Sequence, residues 1–187
     1  MEHLIESVAV LQRRLDQAEV PSIVIGGLAV SAWGEPRVTR DADLKVLLNR
    51  ESAHRLLEAL GSDYVPLLPE PLQALQGRGM LFVRDQAGTR LDLLLAETGF
   101  DEAAIHRGKN IELMPSRVMR VCSAEDLIIL KLIATRGRDQ DDARSVIRRQ
   151  GDRLDDAYVL DWLKQFEQAL DDSTLIATYR QMRSKGK

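Results

Sequence analysis

Two aspartates one residue apart, Asp41 and Asp43, enter an apolar run that continues through Leu44, Val46 and Leu47. Alternate side chains of a β-strand share a face, so the two carboxylates point one way while Ala42, Leu44 and Val46 point the other. A strand presents hard oxygen ligands to a divalent cation such as Mg²⁺ in this manner. Upstream, Gly26 and Gly27 follow the apolar stretch Ser22-Ile23-Val24-Ile25. Glycines at a strand-to-helix turn let backbone N–H groups approach an anion, at the positive end of the helix. Phosphate at the glycines and metal at the aspartates together describe a site for a nucleoside triphosphate. The rival readings are a tight connection and a charged strand edge that deters aggregation. Against the second, Asp is disfavoured in strands, and two on one face need a reason.

A third carboxylate stands in Arg90-Leu91-Asp92-Leu93-Leu94-Leu95, where Asp92 is the only acid of an otherwise apolar strand. A buried charge costs several kcal/mol unless it is paired or bound to metal. Asp92 therefore either completes a metal site with Asp41 and Asp43 or pairs with Arg90 on its own face. Three carboxylates around two cations about 3.5–4 Å apart would clamp the attacking and leaving oxygens of a phosphoryl displacement. Lys131 is the lone cation within the apolar segment Leu127–Ala134. It either snorkels to the surface or neutralises a triphosphate. Asp139, Asp141 and Asp142 cluster at the start of the following helix, where the helix dipole alone favours acids and Asp139-x-x-Asp142 resembles a cap.

The elements that position these residues follow from periodicity. Leu4, Ile5, Val8, Leu11 and Leu15 mark a helix over residues 3–18. Residues 22–25 read as a buried strand, 28–33 as a short helix ended by Gly34 and Pro36, and 42–48 as a strand. A helix over 51–60 stops at Gly61, and Pro66, Pro69 and Pro71 mark an irregular connection. Asp85-Gln86-Ala87-Gly88 joins strands 80–84 and 90–95 as a hairpin. Two short strands are expected within 109–121, separated by Pro115. Helices near 124–136, 139–149, 155–170 and 173–183 make up the C-terminal third, opened by Ser123-x-x-Asp126, and the last residues, 183–187, are expected to fray.

Composition narrows the classes. A chain of 187 residues with 44% hydrophobic content suits one domain, or one with an appended helical piece. A net charge of −3 supplies no bulk field toward nucleic acid, and 4% aromatics argue against a stacking platform for single strands. Arg144, Arg148, Arg149 and Arg153 could still form a local basic stripe for RNA. The single cysteine, Cys122, excludes an internal disulfide and fits a reducing cytoplasm. The start, Met1-Glu2-His3-Leu4, lacks a basic-then-apolar signal, and no apolar run approaches the ~18 residues of a membrane span.

Taken together these residues resemble the nucleotidyltransferase superfamily that includes DNA polymerase β. They look most like the minimal nucleotidyltransferases of abortive-infection and toxin–antitoxin systems. The shared pattern is Gly-Gly-x-Ala, then Gly, then Arg-x-Thr-x-Asp-x-Asp. Here it reads Gly26-Gly27-Leu28-Ala29, Gly34 and Arg37-Val38-Thr39-Arg40-Asp41-Ala42-Asp43. A later signature is matched by Glu125-Asp126-Leu127, Lys131, Ala134, Arg136, Arg138-Asp139 and Asp142, so the resemblance spans roughly residues 5–150. Many members carry Gly-Ser at the turn, whereas this chain has Gly27-Leu28 with Ser31 a turn later.

The resemblance implies an α/β (α+β) fold with a small mixed sheet. Residues 1–122 would form the catalytic core and 123–187 a helical part packed on it. It implies Mg²⁺-dependent transfer of a nucleoside monophosphate from an NTP to an acceptor hydroxyl. Two Mg²⁺ ions, or Mn²⁺, would be held by Asp41, Asp43 and Asp92, with Asp92 also available as general base. Gly26 and Gly27 would line the phosphates, with Arg37, Thr39 and Lys131 as further nucleotide contacts. The acceptor is open between an RNA end such as tRNA, a protein and a small molecule, and an antitoxin partner is implied for the toxin–antitoxin type. A drug-modifying adenylyltransferase is an alternative of the same chemistry. A non-catalytic module binding a nucleotide or a protein partner is an alternative of another class.

Overall fold

The computed structural model describes residues 1–134 and 136–185. Thr135, inside the helix expected over 124–136, and Gly186 and Lys187, in the expected fraying tail, lie outside the described residues. The chain divides into two units. The first holds Met1–Leu28 and Val38–Cys122, and the second Ala29–Arg37 together with the chain from Ser123 onward. The division between Cys122 and Ser123 coincides with the change from mixed to helical sequence, but the stretch Ala29–Arg37 belongs with the helices.

The first unit is built on a seven-stranded mixed sheet. Its strands are β1 (Ser22–Ile25), β2 (Asp41–Val46), β3 (Tyr64–Pro66), β4 (Met80–Asp85), β5 (Arg90–Leu95), β6 (Lys109–Met114) and β7 (Arg117–Val121), in the order β3-β4-β5-β2-β1-β7-β6. β2 runs parallel to β5 and antiparallel to β1, and β1 pairs in parallel with β7. The helices of this unit are α1 (Glu2–Gln17), α3 (His54–Leu60), α4 (Pro71–Arg78) and α5 (Gly99–Arg107), with the first turn of α2 (Gly26–Trp33). One sheet face is apolar: Leu44, Leu81, Leu91 and Leu93 are fully buried, as are Leu11 and Leu15 of α1. The Ser7 hydroxyl of α1 donates to the Asp85 carboxylate, which places α1 over this face.

The second unit contains α6 (Ala124–Ile133), α7 (Gly137–Gln150), α8 (Asp156–Leu170) and α9 (Leu175–Lys185). Both α7 and α8 pack on α6, and α9 packs on α7 and α8, around Leu127, Ile128, Ile129, Val146, Val159 and Leu163. Ser123 caps α6 by accepting from the Asp126 N–H, as the sequence predicts.

Three elements depart from expectation. The proline-marked connection contains the edge strand β3 and helix α4. Pro66 ends an edge strand and Pro71 occupies the first turn of a helix, the two places where a missing N–H costs nothing. Helix α5, absent from the sequence reading, is opened by a complete capping box: Thr98 accepts from the Asp101 N–H, and Asp101 accepts from the Thr98 N–H.

Candidate active site

The last residue of β1, Ile25, lies opposite Asp43 in the ladder, so the turn into α2 is made beside that carboxylate. Gly26 makes the turn with φ +64°. A side chain would be strained there, and a Cβ would stand 2.0 Å from Asp43 Oδ2. Glycine is needed twice, for the backbone and for the room the carboxylate occupies.

The parallel ladder between β2 and β5 sets Asp41 opposite Arg90 and Asp43 opposite Asp92. Alternation along both strands puts all four side chains on one face, away from the α1-covered leucines. The next residue of β2 on this face is Lys45, whose ammonium lies 2.6 Å from the Asp101 carboxylate of α5. That pair closes one end of the face. At the other end the Thr39 hydroxyl donates to the Asp41 carbonyl (3.0 Å) and carboxylate (3.2 Å), fastening the entry to β2.

Arg90 and Asp92 form a two-point pair, with Nε 2.7 Å from Oδ1 and a terminal nitrogen 2.9 Å from Oδ2. The guanidinium also lies 4.8 Å from the ring centroid of Phe82, the β4 residue opposite Asp92. The hydrogen bond to Asp92 chiefly, and then the fields of Asp92, Asp41 and Asp43, raise the arginine pKa above its ordinary value against the opposing effect of burial. The charges of Asp41 and Asp43 therefore reach Arg90. Among the described residues no three His, Cys, Asp or Glu side chains are grouped, as they stand, to hold an ion. The donor chemistry nevertheless suits a hard cation: three carboxylates on one face, two of them ladder neighbours, one cradled by a glycine.

No protein-family model matches the chain, and no curated protein does. Solved structures match along nearly its whole length. The antibiotic-resistance factor ANT(2'')-Ia in solution gives a TM-score of 0.56 at 15% identity, over 97% of this chain and 93% of that one. Its complex with adenylyl-2''-tobramycin gives 0.55 at 17% identity, over 95% and 97%. An antigenic nucleotidyltransferase-like protein from Paracoccidioides brasiliensis gives 0.54 at 17% identity, over 95% and 93%. This chain has the nucleotidyltransferase fold. The mixed α/β architecture expected from the sequence is the one observed.

Within this nucleotidyltransferase fold, Asp41, Asp43 and Asp92 share one face with Gly26 at its edge, and Gly27 follows in the first turn of α2. Arg37 and Lys131 belong to the second unit and meet on a different carboxylate. Lys131 does not snorkel: its side chain is 9% exposed, and its ammonium lies 2.7 Å from Asp139 and 2.9 Å from Asp142. Arg37 makes a two-point pair with Asp142 (2.9 and 3.0 Å), and Arg136 pairs with Asp139. Burial pushes the Asp142 carboxyl up, but the hydrogen bonds from Arg37 and Lys131 outweigh it and hold the pKa below the ordinary value. The cap expected of Asp139 and Asp142 is not formed; Arg136 is the N-cap of α7, and both carboxylates pair with the buried Lys131 instead. The four arginines of the expected basic stripe are exposed, and each has a partner within the chain. Arg148 pairs with Glu35, Arg144 with Asp141, and Arg149 and Arg153 donate to backbone carbonyls.

Three contributors escaped the sequence reading: Phe82, Lys45 and Asp101. Lys45 had a signal, since it is two residues past Asp43 on the same strand face. Asp101 had one too, in Thr98-x-x-Asp101. Phe82 had none, because its place over Arg90 depends on the β4–β5 ladder.

Proposed function

We propose that this chain transfers a nucleoside monophosphate from an NTP to an acceptor hydroxyl, releasing pyrophosphate. The observation that carries the reading is the register that sets Asp43 beside Asp92, with Asp41 on the same face, at a Gly26 turn in a nucleotidyltransferase fold. The acceptor oxygen attacks the α-phosphorus, the bond to the β-phosphate oxygen breaks, and the hydroxyl proton passes to a carboxylate of this face, Asp92. Asp41, Asp43 and Asp92 would hold the divalent cations, Mg²⁺ or Mn²⁺, which when bound neutralise the triphosphate and polarise the acceptor hydroxyl. Gly26 and Gly27 turn backbone N–H groups toward phosphate at the start of α2. Thr39 keeps Asp41 aimed. Arg37 and Lys131 spend donors on Asp139 and Asp142, and we assign them to holding the second unit together.

For the acceptor, a small hydroxylated antibiotic is favoured by one observation: the complex of ANT(2'')-Ia with adenylyl-2''-tobramycin matches 95% of this chain, helical part included. An RNA end or a protein, in a toxin–antitoxin setting, is the second reading, and it rests on the Arg-x-Thr-x-Asp-x-Asp motif at residues 37–43. The test is incubation with each α-labelled NTP and Mg²⁺ against tobramycin, total tRNA and cell protein in separate reactions. Label should enter one fraction, with equimolar pyrophosphate release, and not with Asp43→Asn. Absence of both transfer and NTP binding would leave a non-catalytic partner-binding module.

A further inference from the structure

The carboxylate face carries its own cation. Arg90 sits opposite Asp41 in the β2–β5 ladder, two residues before Asp92 on the same face. Its fork takes both oxygens of Asp92, at 2.7 and 2.9 Å, and its far side rests on the Phe82 ring. The Asp92 side chain is 12% exposed and confined, whereas that of Arg90 is 41% exposed and has solvent to move into. A divalent cation drawn to Asp41, Asp43 and Asp92 needs the same oxygens and arrives with charge that repels a guanidinium. The two cations compete for one anion.

We propose that Arg90 is the resting counter-ion of this face, neutralising Asp92 in the metal-free protein and yielding it when a divalent cation loads. Arg90 thereby sets how much free metal the face requires. This rests on the nucleotidyl-transfer reading. A purely structural ion pair would make the opposite demand, since losing it would loosen Asp92 and weaken metal binding.

The experiment is Mn²⁺ binding to the full, metal-free chain, followed by the paramagnetic resonance of free Mn²⁺ and by melting temperature. Wild type, Arg90→Gln, Arg90→Lys and the double variant Arg90→Gln/Asp92→Asn are compared. Arg90→Gln should bind Mn²⁺ about tenfold tighter, the effect of removing one charged hydrogen-bonded competitor. Arg90→Lys, which keeps the charge but not the fork, should fall between, and the double variant should lose the gain. Arg90→Gln should melt below wild type without metal and approach it at saturating Mn²⁺. If wild type binds Mn²⁺ and both Arg90 variants bind it equally or more weakly, the counter-ion proposal is wrong and the nucleotidyl-transfer reading stands. If no variant binds Mn²⁺, both fall.

Discussion

At the scale of single residues, Gly26 is the position with least freedom. Its φ of +64° and the 2.0 Å separation between a built Cβ and Asp43 Oδ2 act together. Gly26→Ala should cost about 1–2 kcal/mol of backbone strain in denaturant unfolding, and should weaken Mn²⁺ or NTP·Mg²⁺ binding because the carboxylate must move. Asp142 has a different signature. Its pKa is held below the ordinary value, so the stability it contributes is complete above the unfolded-state pKa and is lost as pH falls through the folded one. Unfolding free energy should therefore drop below about pH 4. Asp142→Asn should be less stable at neutral pH and show a shallower acid limb; an unchanged limb would place the acid sensitivity elsewhere.

Between elements, the clearest joint is the one linking α6 to α7. Lys131 of α6 reaches Asp139 and Asp142 of α7, and Arg37 and Arg136 complete the charge balance. Lys131→Met keeps the stem and removes the charge, leaving two nearly buried carboxylates with one arginine each. We expect a loss of about 3 kcal/mol, the low end of the range for breaking a buried pair, read by urea denaturation. A change within about 0.5 kcal/mol is what a snorkelling lysine would give, and would contradict the observed pairing. The β2–β5 ladder is the matching joint of the first unit, since one residue of slip would turn the facing carboxylate to the opposite side of the sheet.

For the whole molecule, ligand linkage is the decisive measurement. A ligand that binds only the native state adds about 2.7 kcal/mol at 100 times its Kd. NTP and Mg²⁺ together should raise the melting temperature, chelation of the metal should reverse the rise, and Asp43→Asn should abolish it. No response to any of the four NTPs would sink the nucleotidyltransferase reading. Among the described residues no helix is long and apolar enough to cross a membrane, in keeping with the short apolar runs of the sequence.

Local rules made most of this protein legible in one dimension. Alternation placed Asp41 and Asp43 on one face, the Gly26-Gly27 turn followed a recognisable strand, and helical periodicity and the Ser123 cap announced the C-terminal helices. Each depends on residues close in the chain. What only the tertiary structure decided is who partners whom. That Asp43 lies beside Asp92 is set by a parallel pairing of strands about fifty residues apart, which no local spacing encodes. For Asp92 the fold supplies the pairing with Arg90, and the β4–β5 ladder sets Phe82 against that guanidinium. Lys131, which the sequence left between surface and phosphate, is buried by α6 beside two carboxylates that α7 brings to it. Charges act through space, so a sequence names the ions but the fold chooses the pairs.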